Sequence, residues 1–502
     1  MQKDLIEQSF TDLTDDFAEL SYLAGDLENK LQRFLKEMRI ARKHINAENY
    51  GLTSDLSKII QTTLDNIRQI LSDTESRLNN NVRAETNLAD LISKKSTVSE
   101  MIRFLYQTTA AEISACDWQS PSVSHSIRSL AGRMTGRIVH SVTDYKRDQH
   151  SDARIYEKLF IRENITAPLK FSIGALATSS GMAAFNTIHN YLVSENKIKS
   201  RILVGRSSYF EILNFLQYTY GNRCILTDES DTRSIIAAIR GYEPDAIFLD
   251  TIANSRKMPA CDVNTVIREL SLNTKHDTML VLDNTSAGPM FQPFNFPVTF
   301  KMPHMVVFES LNKFHQFGMD RTTGGIMYWR GPYFIGLFDY RDHLGTIIPD
   351  VSVLSIPSPN RGILEKRIRK ITRNTEMLAR YASESSGIKS KLIERINYPG
   401  LQDHPSYSIY RQTGFGGAFF TLDINKKFPT VKSLMRLIDV VIKNARKRKI
   451  PIVHGTSFGL DVTRIYLVAS RTNEKFIRIA PGTETVYETE QLKEVLADSF
   501  FR

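Results

Sequence analysis

One lysine stands at a position where a lysine can carry out covalent chemistry. Lys313 lies in the polar stretch ESLNKFHQFGMD, which directly follows the apolar run MVVF. Taken alone, a lysine after a strand is more often a solvated structural residue. A lysine just beyond a buried strand can also bind an aldehyde cofactor covalently. The residues at the neighbouring strand ends therefore have to distinguish these two interpretations.

Three more groups of polar residues lie at the ends of predicted elements. Asp283 ends the strand-like TMLVLD, where a buried carboxylate is costly unless a partner such as a protonated ring nitrogen is present. Asn254 follows AIFLDT, at another strand end. Ser180, Gly181 and Met182 open a helix-like segment, and N–H groups at a helix N-terminus suit a phosphate. Each group alone is a weak signal, because such turns and caps are common.

The order of these groups is more specific than any one of them. A phosphate loop, an Asn, an Asp and a Lys stand on successive strand ends, and Ser310 lies three residues before Lys313. Together they would hold a phosphate, a ring nitrogen and an aldehyde, which describes pyridoxal 5'-phosphate (PLP). The sequence therefore predicts a PLP site.

The elements that carry these residues predict an α/β fold. Short apolar runs such as RILVG, CILTD, AIFLD and MVVFES alternate with helical patterns. This alternation predicts a mostly parallel central sheet with helices on both faces, whose ligands bind at the carboxyl ends of the strands. We expect residues 141–355 to form this large PLP-binding domain. Residues 356–502 are expected to form a small C-terminal α+β domain with strands in GGAFFTLDI, IPIVHG and RIYLVAS.

Residues 1–140 have a different pattern, which predicts a coiled-coil-like helical hairpin. The stretch NAENYGLTSD separates two apolar stripes with heptad-like spacing. The stripes comprise Leu13, Phe17, Leu20, Ala24, Leu27, Leu31, Phe34 and Met38, and then Leu56, Ile60, Leu64, Ile67, Leu71 and Leu78. We favour packing of the stripes inside the hairpin or on the main body. The alternative is an arm for docking or oligomerisation.

Composition excludes several classes of protein. The 502 residues are 41% hydrophobic and 24% charged, which indicates a globular protein with more than one domain. Charges interrupt every long apolar window, and MQKDLIEQSFTDLTDDF is too acidic for a signal peptide, so we expect no membrane partner. Cys116, Cys224 and Cys261 are scattered, which favours a reducing cytoplasmic environment without a metal site. The net charge of +10 is spread along the chain, so no nucleic-acid partner is expected.

From about residue 140 to residue 502 the sequence resembles the fold type I PLP-dependent enzymes of Cys/Met metabolism, the cystathionine γ-synthase and γ-lyase group. The resemblance rests on seven motifs in the order in which that family has them. They are YKRDQHSDARIYE, SSGMAA, DTIANS, DNTSAGP, SLNK, HPSYSIYRQTGFGGAFF and FIRIAPGTET.

The resemblance implies a role for each motif. It makes Lys313 the catalytic Schiff-base lysine, Asp283 the partner of the pyridine nitrogen and Asn254 a neighbour of the phenolic oxygen. It makes Arg478 the ligand of the substrate α-carboxylate, with Ser457 beside it. Within one subunit, the phosphate ligands would be Ser180, Gly181 and Met182 of SSGMAA and Ser310 of SLNK. A neighbouring subunit would supply two further ligands, Tyr145 and Arg147. The active unit would be a homodimer or homotetramer.

The sequence also departs from the family pattern. Asn312 stands where the family has a Thr that contacts the phosphate, and it is kept as a candidate cofactor ligand. Asp250 stands where the family has Glu, and Ser255 where it has Pro. Tyr209 is a candidate for stacking on the cofactor ring, but the most natural spacing puts Arg206 at that position, where it could stack or bind a substrate anion. These differences indicate a divergent branch, so the substrate is not transferred from the family.

The resemblance implies elimination at Cβ or Cγ, or replacement at Cγ, of an amino acid, as in C–S lyases and transsulfuration enzymes. Two alternatives stay open. One is another PLP reaction on the same scaffold, such as transamination or decarboxylation. The other is a non-catalytic, partner-binding relative, and the presence of Lys313, Asp283 and Arg478 argues against it.

Overall fold

Two β-sheets organise the chain. The structure is a computed structural model and describes residues 2–42, 50–79, 85–115, 150–165, 172–272, 277–295, 302–389, 392–425, 430–468 and 475–500. Within these ranges one sheet has seven strands and the other has five. Helices cover both sheets, and the first three helices come before any strand.

The larger sheet has the strand order β1-β7-β6-β5-β4-β2-β3. The strands β2 to β6 run parallel to one another, and β7 is antiparallel to both β6 and β1. This arrangement confirms the prediction of a mostly parallel central sheet. Its strands are β1 (Ile173–Thr178), β2 (Ile202–Gly205), β3 (Cys224–Thr227), β4 (Ala246–Asp250), β5 (Met279–Asp283), β6 (His304–Ser310) and β7 (Gly325–Arg330).

Side chains of this sheet alternate between two apolar cores, one on each face. On β4, Ala246 and Phe248 lie in one core, and Ile247 and Leu249 lie in the other. A strand that is buried on both faces favours apolar residues at successive positions, which explains the AIFL that precedes Asp250. The helices around this sheet are α4 (Ser151–Asn164), α5 (Gly181–Ser194), α6 (Phe210–Tyr220), α7 (Thr232–Tyr242), α8 (Val263–Leu272), α9 (Leu337–His343) and α10 (Asp350–Ser355).

The smaller sheet has the order β10-β11-β12-β9-β8 and is built from the C-terminal part of the chain. Its strands are β8 (Ile393–Asn397), β9 (Phe420–Ile424), β10 (Val453–His454), β11 (Arg464–Val468) and β12 (Phe476–Ala480). The helices of this part are α11 (Arg361–Lys389), α12 (Tyr407–Thr413), α13 (Val431–Lys447) and α14 (Val486–Phe500). Strands are therefore present in GGAFFTLDI, IPIVHG and RIYLVAS, as predicted.

Three long helices form the N-terminal region: α1 (Gln2–Arg42), α2 (Tyr50–Asn79) and α3 (Glu85–Ala115). The predicted hairpin corresponds to α1 and α2, whereas α3 was not predicted. The apolar stripe of α1 from Leu13 to Phe34 is buried in a core that is continuous with one face of the central sheet. Helix α1 packs on α3, α11 and α14, and α3 packs on α10. The stripe of α1 therefore packs on the main body, whereas α2 packs on α1 and α3.

None of the helices in the described ranges is both long enough and apolar enough to span a lipid bilayer.

Candidate active site

The carboxyl ends of three parallel strands meet at one edge of the central sheet. Asp250 ends β4, Asp283 ends β5 and Ser310 ends β6. Asp250 and Asp283 are paired in the strand register. Lys313 follows Ser310 and precedes a short 3-10 turn, Phe314–Gln316. The fold therefore brings the predicted strand-end residues to one edge of the sheet.

The side chain of Lys313 is held in a partly buried environment. Its Nζ donates a hydrogen bond of 2.8 Å to Oγ of Ser457, and it lies 5.5 Å from the centre of the Phe458 ring. Burial, followed by the positive charge of Arg478, lowers the pKa of Lys313 to about 8. A useful fraction of the amine is therefore uncharged and nucleophilic near neutral pH.

Two carboxylates lie side by side near this lysine. Burial raises the pKa of Asp283 to about 6, while hydrogen bonds from Thr285 and the charge of Lys313 oppose the change. The backbone N–H of Thr285 donates to Oδ1 of Asp283 over 2.9 Å. Burial and the charges of Asp283 and Glu229 raise the pKa of Asp250 well above its ordinary range. Asp283 can therefore accept a hydrogen bond from a protonated ring nitrogen, whose positive charge would keep it ionised.

The N-terminus of α5 lies against the end of β6. Ser180 is the N-cap, and its Oγ accepts a hydrogen bond of 3.0 Å from the first turn. A Cβ at Gly181 would lie 3.0 Å from Cβ of Ser310, so glycine allows this close approach. Met182 follows in the first turn and is partly buried. The backbone N–H groups of this turn are suited to an anion.

Two other residues of the SLNK motif, Ser310 and Asn312, make contacts within the chain. The backbone N–H of Ser310 donates to Oγ1 of Thr285 over 2.9 Å. Oδ1 of Asn312 accepts a 2.8 Å hydrogen bond from the backbone N–H of Gly324. The Asn that replaces the family's Thr thus connects the Lys313 segment to the start of β7. Its role as a phosphate ligand stays a prediction.

Arg478 lies on β12 and joins the smaller sheet to the strand-end edge. Its Nη1 donates a hydrogen bond of 2.9 Å to Oδ1 of Asn254, which follows β4. The guanidinium lies 5.6 Å and 6.0 Å from the rings of Phe419 and Tyr466. Burial lowers the pKa of Arg478 to about 10, so it remains a cation. Among the described residues no carboxylate forms an ion pair with this buried cation, which leaves it ready for an anionic substrate.

Tyr209 and Arg206 are the two candidates for stacking on the cofactor ring. Tyr209 is the N-cap of α6, and its backbone N–H donates to Oδ2 of Asp250 over 3.2 Å. Burial raises the pKa of the Tyr209 hydroxyl to about 12. Arg206 is exposed at the end of β2. Both lie at the edge of the site, and the choice between them stays open.

Tyr145 and Arg147 lie outside the residues that the structure describes. Their predicted role as phosphate ligands of a neighbouring subunit therefore stays a prediction.

Sequence reasoning missed a buried carboxylate beside the site. Glu229 follows β3, is fully buried, and its Oε1 accepts a 2.8 Å hydrogen bond from the backbone N–H of Ser207. Burial raises the pKa of Glu229 to about 7. The rule that drew attention to Asp283 also applies here, because Glu229 comes two residues after the apolar run CILT. Applying that rule to every strand would have found it.

Comparison with known proteins identifies the family. The family model for Cys/Met metabolism PLP-dependent enzymes matches residues 139–492. The chain belongs to this family. The residues at the strand-end edge fit its cofactor, because they combine an amine of lowered pKa, a carboxylate beside it and a glycine-opened helix N-terminus.

Curated relatives of the chain are distant. The bifunctional enzyme flvA of Aspergillus flavus is 22% identical over 317 residues, which cover 62% of this chain and 37% of that protein. L-methionine gamma-lyase of Fusobacterium nucleatum is 23% identical over 286 residues, 55% of this chain and 66% of that protein. Cystathionine beta-lyase of Neurospora crassa is 26% identical over 241 residues, 47% of this chain and 48% of that protein. The chain thus spans less than two thirds of each of these relatives.

Solved structures share the fold. Cystathionine gamma synthase from Xanthomonas oryzae, in complex with aminoacrylate and cysteine, has a TM-score of 0.55 and 18% identity, covering 71% of this chain and 88% of that chain. Cystathionine gamma-lyase from Lactobacillus plantarum, complexed with L-serine, has a TM-score of 0.55 and 19% identity, covering 72% of this chain and 90% of that chain. The α/β architecture is therefore that of fold type I PLP enzymes.

Proposed function

We propose that the chain is an enzyme that uses PLP to eliminate a group at Cβ or Cγ of an amino acid, or to replace one at Cγ. The observation that carries this proposal is the state of Lys313. Its amine has a pKa of about 8, hydrogen bonds to Ser457, and is affected by the charges of both Asp283 and Arg478. Such an amine can serve as nucleophile and as base at neutral pH.

In this proposal each residue of the site has a separate role. PLP, when bound, stabilises the negative charge that develops at the α-carbon of the amino acid. Lys313 would hold the cofactor's aldehyde, and its free amine would take up or return the proton of the α-carbon. Asp283 would accept a hydrogen bond from the N–H of the cofactor ring. Arg478, steadied by Asn254, holds the α-carboxylate with two parallel hydrogen bonds.

The assembly and location are part of the proposal. We propose a homodimer or homotetramer, in which Tyr145 and Arg147 complete the phosphate site of a neighbouring subunit. The two sheets support a division into residues 141–355 and 356–502, with residues 1–140 as an N-terminal helical region. The scattered cysteines favour the cytoplasm. Light scattering measures the mass, and mixing Arg147→Ala with Lys313→Ala subunits restores activity if sites are shared.

Absorption spectroscopy and borohydride trapping test the cofactor site. The purified chain should absorb near the visible edge with PLP, and borohydride should fix the cofactor on Lys313 in a peptide map. Lys313→Ala should lose both signals. The exposed Lys257, three residues after Asn254, gives a matched control, because Lys257→Ala should keep both. A chain that takes up no PLP would favour the non-catalytic alternative instead.

Product analysis tests the reaction. Amino acids with a leaving group at Cβ or Cγ, particularly those that contain sulfur, should yield ammonia and a keto acid, or a new amino acid when a nucleophile is added. Carbon dioxide would indicate a decarboxylase. Transfer of the amino group to an added keto acid would indicate an aminotransferase. Either of these last two results would contradict the proposed reaction while leaving the cofactor assignment intact.

A further inference from the structure

The loop of residues 455–463, here called the 457 loop, contacts Lys313 and the segment that carries it. It connects β10 to β11. Ser457 accepts the hydrogen bond from Nζ of Lys313, and its φ of 77° is unusual for a residue with a side chain. A Cβ at Gly459 would come within 2.9 Å of the Phe314 ring, so the loop lies directly on the segment that carries the lysine.

Asp461 anchors the 457 loop to two helices. Its Oδ1 accepts a 2.5 Å hydrogen bond from Nη2 of Arg367 on α11, and the same nitrogen donates to the backbone oxygen of Gly459 over 3.3 Å. Its Oδ2 accepts hydrogen bonds from Oγ of Ser99, at 3.1 Å, and from Nη2 of Arg103. Ser99 and Arg103 both belong to α3. The N-terminal region therefore contacts the loop that holds the lysine.

The same helix contacts two more segments of the site. Nζ of Lys95 donates to the backbone oxygen of Thr483 over 2.6 Å, shortly after the strand that carries Arg478. Nε2 of Gln107 donates to the backbone oxygen of Arg321 over 3.2 Å, shortly after Lys313. Successive turns of α3 thus contact the segments on which the lysine, its serine partner and the arginine lie.

The charge of Asp461 makes these contacts energetically important. Burial alone would raise the pKa of Asp461, but the charges of Arg367 and Arg103 hold it well below its ordinary range. The carboxylate is therefore ionised at any working pH. Removing one of its cationic partners leaves a largely buried charge only partly compensated, so the loop has to shift or admit water.

We propose that α3 positions the active-site lysine. Ser99 and Arg103 hold Asp461, Asp461 holds the 457 loop, and Ser457 of that loop holds Lys313. Ser99 and Arg103 are positioning residues, since they act through Asp461. The proposal rests on the proposed function, in which Lys313 is the reactive amine.

Competitive acetylation of the full chain, stripped of cofactor, tests this coupling. Trace acetic anhydride is applied from about pH 6 to about pH 10, and peptide mass spectrometry follows the labelling of Lys313. The wild-type midpoint should lie at about 8. Arg103→Gln should loosen the loop, hydrate the ammonium and raise the midpoint by about half a pH unit, which lowers labelling at neutral pH about three-fold. Arg103→Lys should partly restore the wild-type profile.

A matched control lies on the same helix. Lys94 forms an ion pair with Asp90 at 3.6 Å on the solvent side, so Lys94→Gln changes the charge of α3 equally without touching Asp461. Its Lys313 profile should equal that of the wild type. Ser99→Ala removes only a neutral donor and should cause a smaller change in the same direction as Arg103→Gln. If Arg103→Gln does not fold, the Lys313 profile of Ser99→Ala tests the coupling between α3 and Lys313.

Two results would overturn the coupling. One is an unchanged Lys313 profile in folded Arg103→Gln, or in Ser99→Ala if only that variant folds. The other is an equal change in Lys94→Gln. Failure of the proposed function has a separate signature, because borohydride would then fix no PLP on wild-type Lys313. The acetylation profile of Lys313 tests the role of α3 whether or not the chain binds PLP.

Discussion

Replacing Lys313 with methionine should make the cofactor-stripped chain more stable while it removes the reactive amine. Methionine is of similar length and carries no charge. Burial and the charge of Arg478 lower the pKa of Lys313 from its ordinary value of 10.5 to about 8. The folded chain therefore disfavours the ammonium form, and at neutral pH this form is a cost to stability.

The size of that cost follows from the pKa. A difference of about 2.5 pH units corresponds to about 3 kcal/mol at ~1.36 kcal/mol per unit. Because the folded pKa lies below the unfolded one, the unfolded chain binds more protons between about pH 8 and 10.5. Wild-type stability therefore rises with pH through this window, and the cost is full only below it. Losing the hydrogen bond to Ser457 offsets about 1 kcal/mol, which leaves a gain of about 2 kcal/mol at neutral pH.

Urea unfolding of both chains at about pH 7 and about pH 10 measures this difference. Lys95→Met provides a contrast of opposite sign. Burial alone would lower the pKa of Lys95, but Asp16, whose Oδ2 lies 2.8 Å away, raises it above its ordinary value. Lys95→Met should therefore destabilise the chain. The reasoning is wrong if Lys313→Met is less stable than wild type at neutral pH, or if its advantage does not shrink at high pH.

Three further changes test the site and the fold. Arg478→Lys should raise KM for the amino acid about 10- to 100-fold in initial-rate assays, because an ammonium cannot form two parallel hydrogen bonds with a carboxylate. An unchanged KM would assign the carboxylate to another residue. Asp283→Asn should lower kcat about 100-fold or more with PLP still bound, and activity near wild type would contradict its role at the ring nitrogen. Leu27→Ala removes a fully buried side chain of α1 and should lower the free energy of unfolding by about 3 kcal/mol in a single urea transition. A separate early transition would show that the N-terminal helices unfold independently.

The central sheet could be predicted because strands that are buried on both faces have uninterrupted apolar runs in the sequence. Runs such as ILVG and the AIFL of β4 are apolar at every position, and the helices between the strands fix their parallel order. Helix α3 was missed because its apolar stripe is interrupted. Lys95 and Thr109 occupy positions of the stripe formed by Leu88, Val98 and Ile102. Lys95 is there to bind Asp16 and the segment after β12.

Only those residues of the candidate site that are marked by local sequence features could be predicted from the residues themselves. Strand ends and a helix N-terminus are local features, and they indicated Lys313, Asp283, Asn254 and Ser180 without any knowledge of the fold. The hydrogen bond between Arg478 and Asn254 joins residues 224 positions apart, and only the family resemblance had indicated that both lie at one site. The catalytic and binding roles of all these residues remain predictions.

The anchoring of Asp461 could not be predicted, because nothing in its surroundings in the sequence indicates it. In the sequence Asp461 belongs to the turn TSFGLD, and its partner Ser99 lies 362 positions before it. A carboxylate in a turn is normally a solvated residue or a cap. Here it balances the charges of Arg103 and Arg367 and so connects a helical region to the lysine of the site. From the two stripes of residues 1–140 we favoured packing inside the hairpin or on the main body, and a docking or oligomerisation arm stayed the alternative. The contacts of α3 with Asp461 and with the segments of the site imply instead that removing this region would expose the charge of Asp461 and alter the position of Lys313.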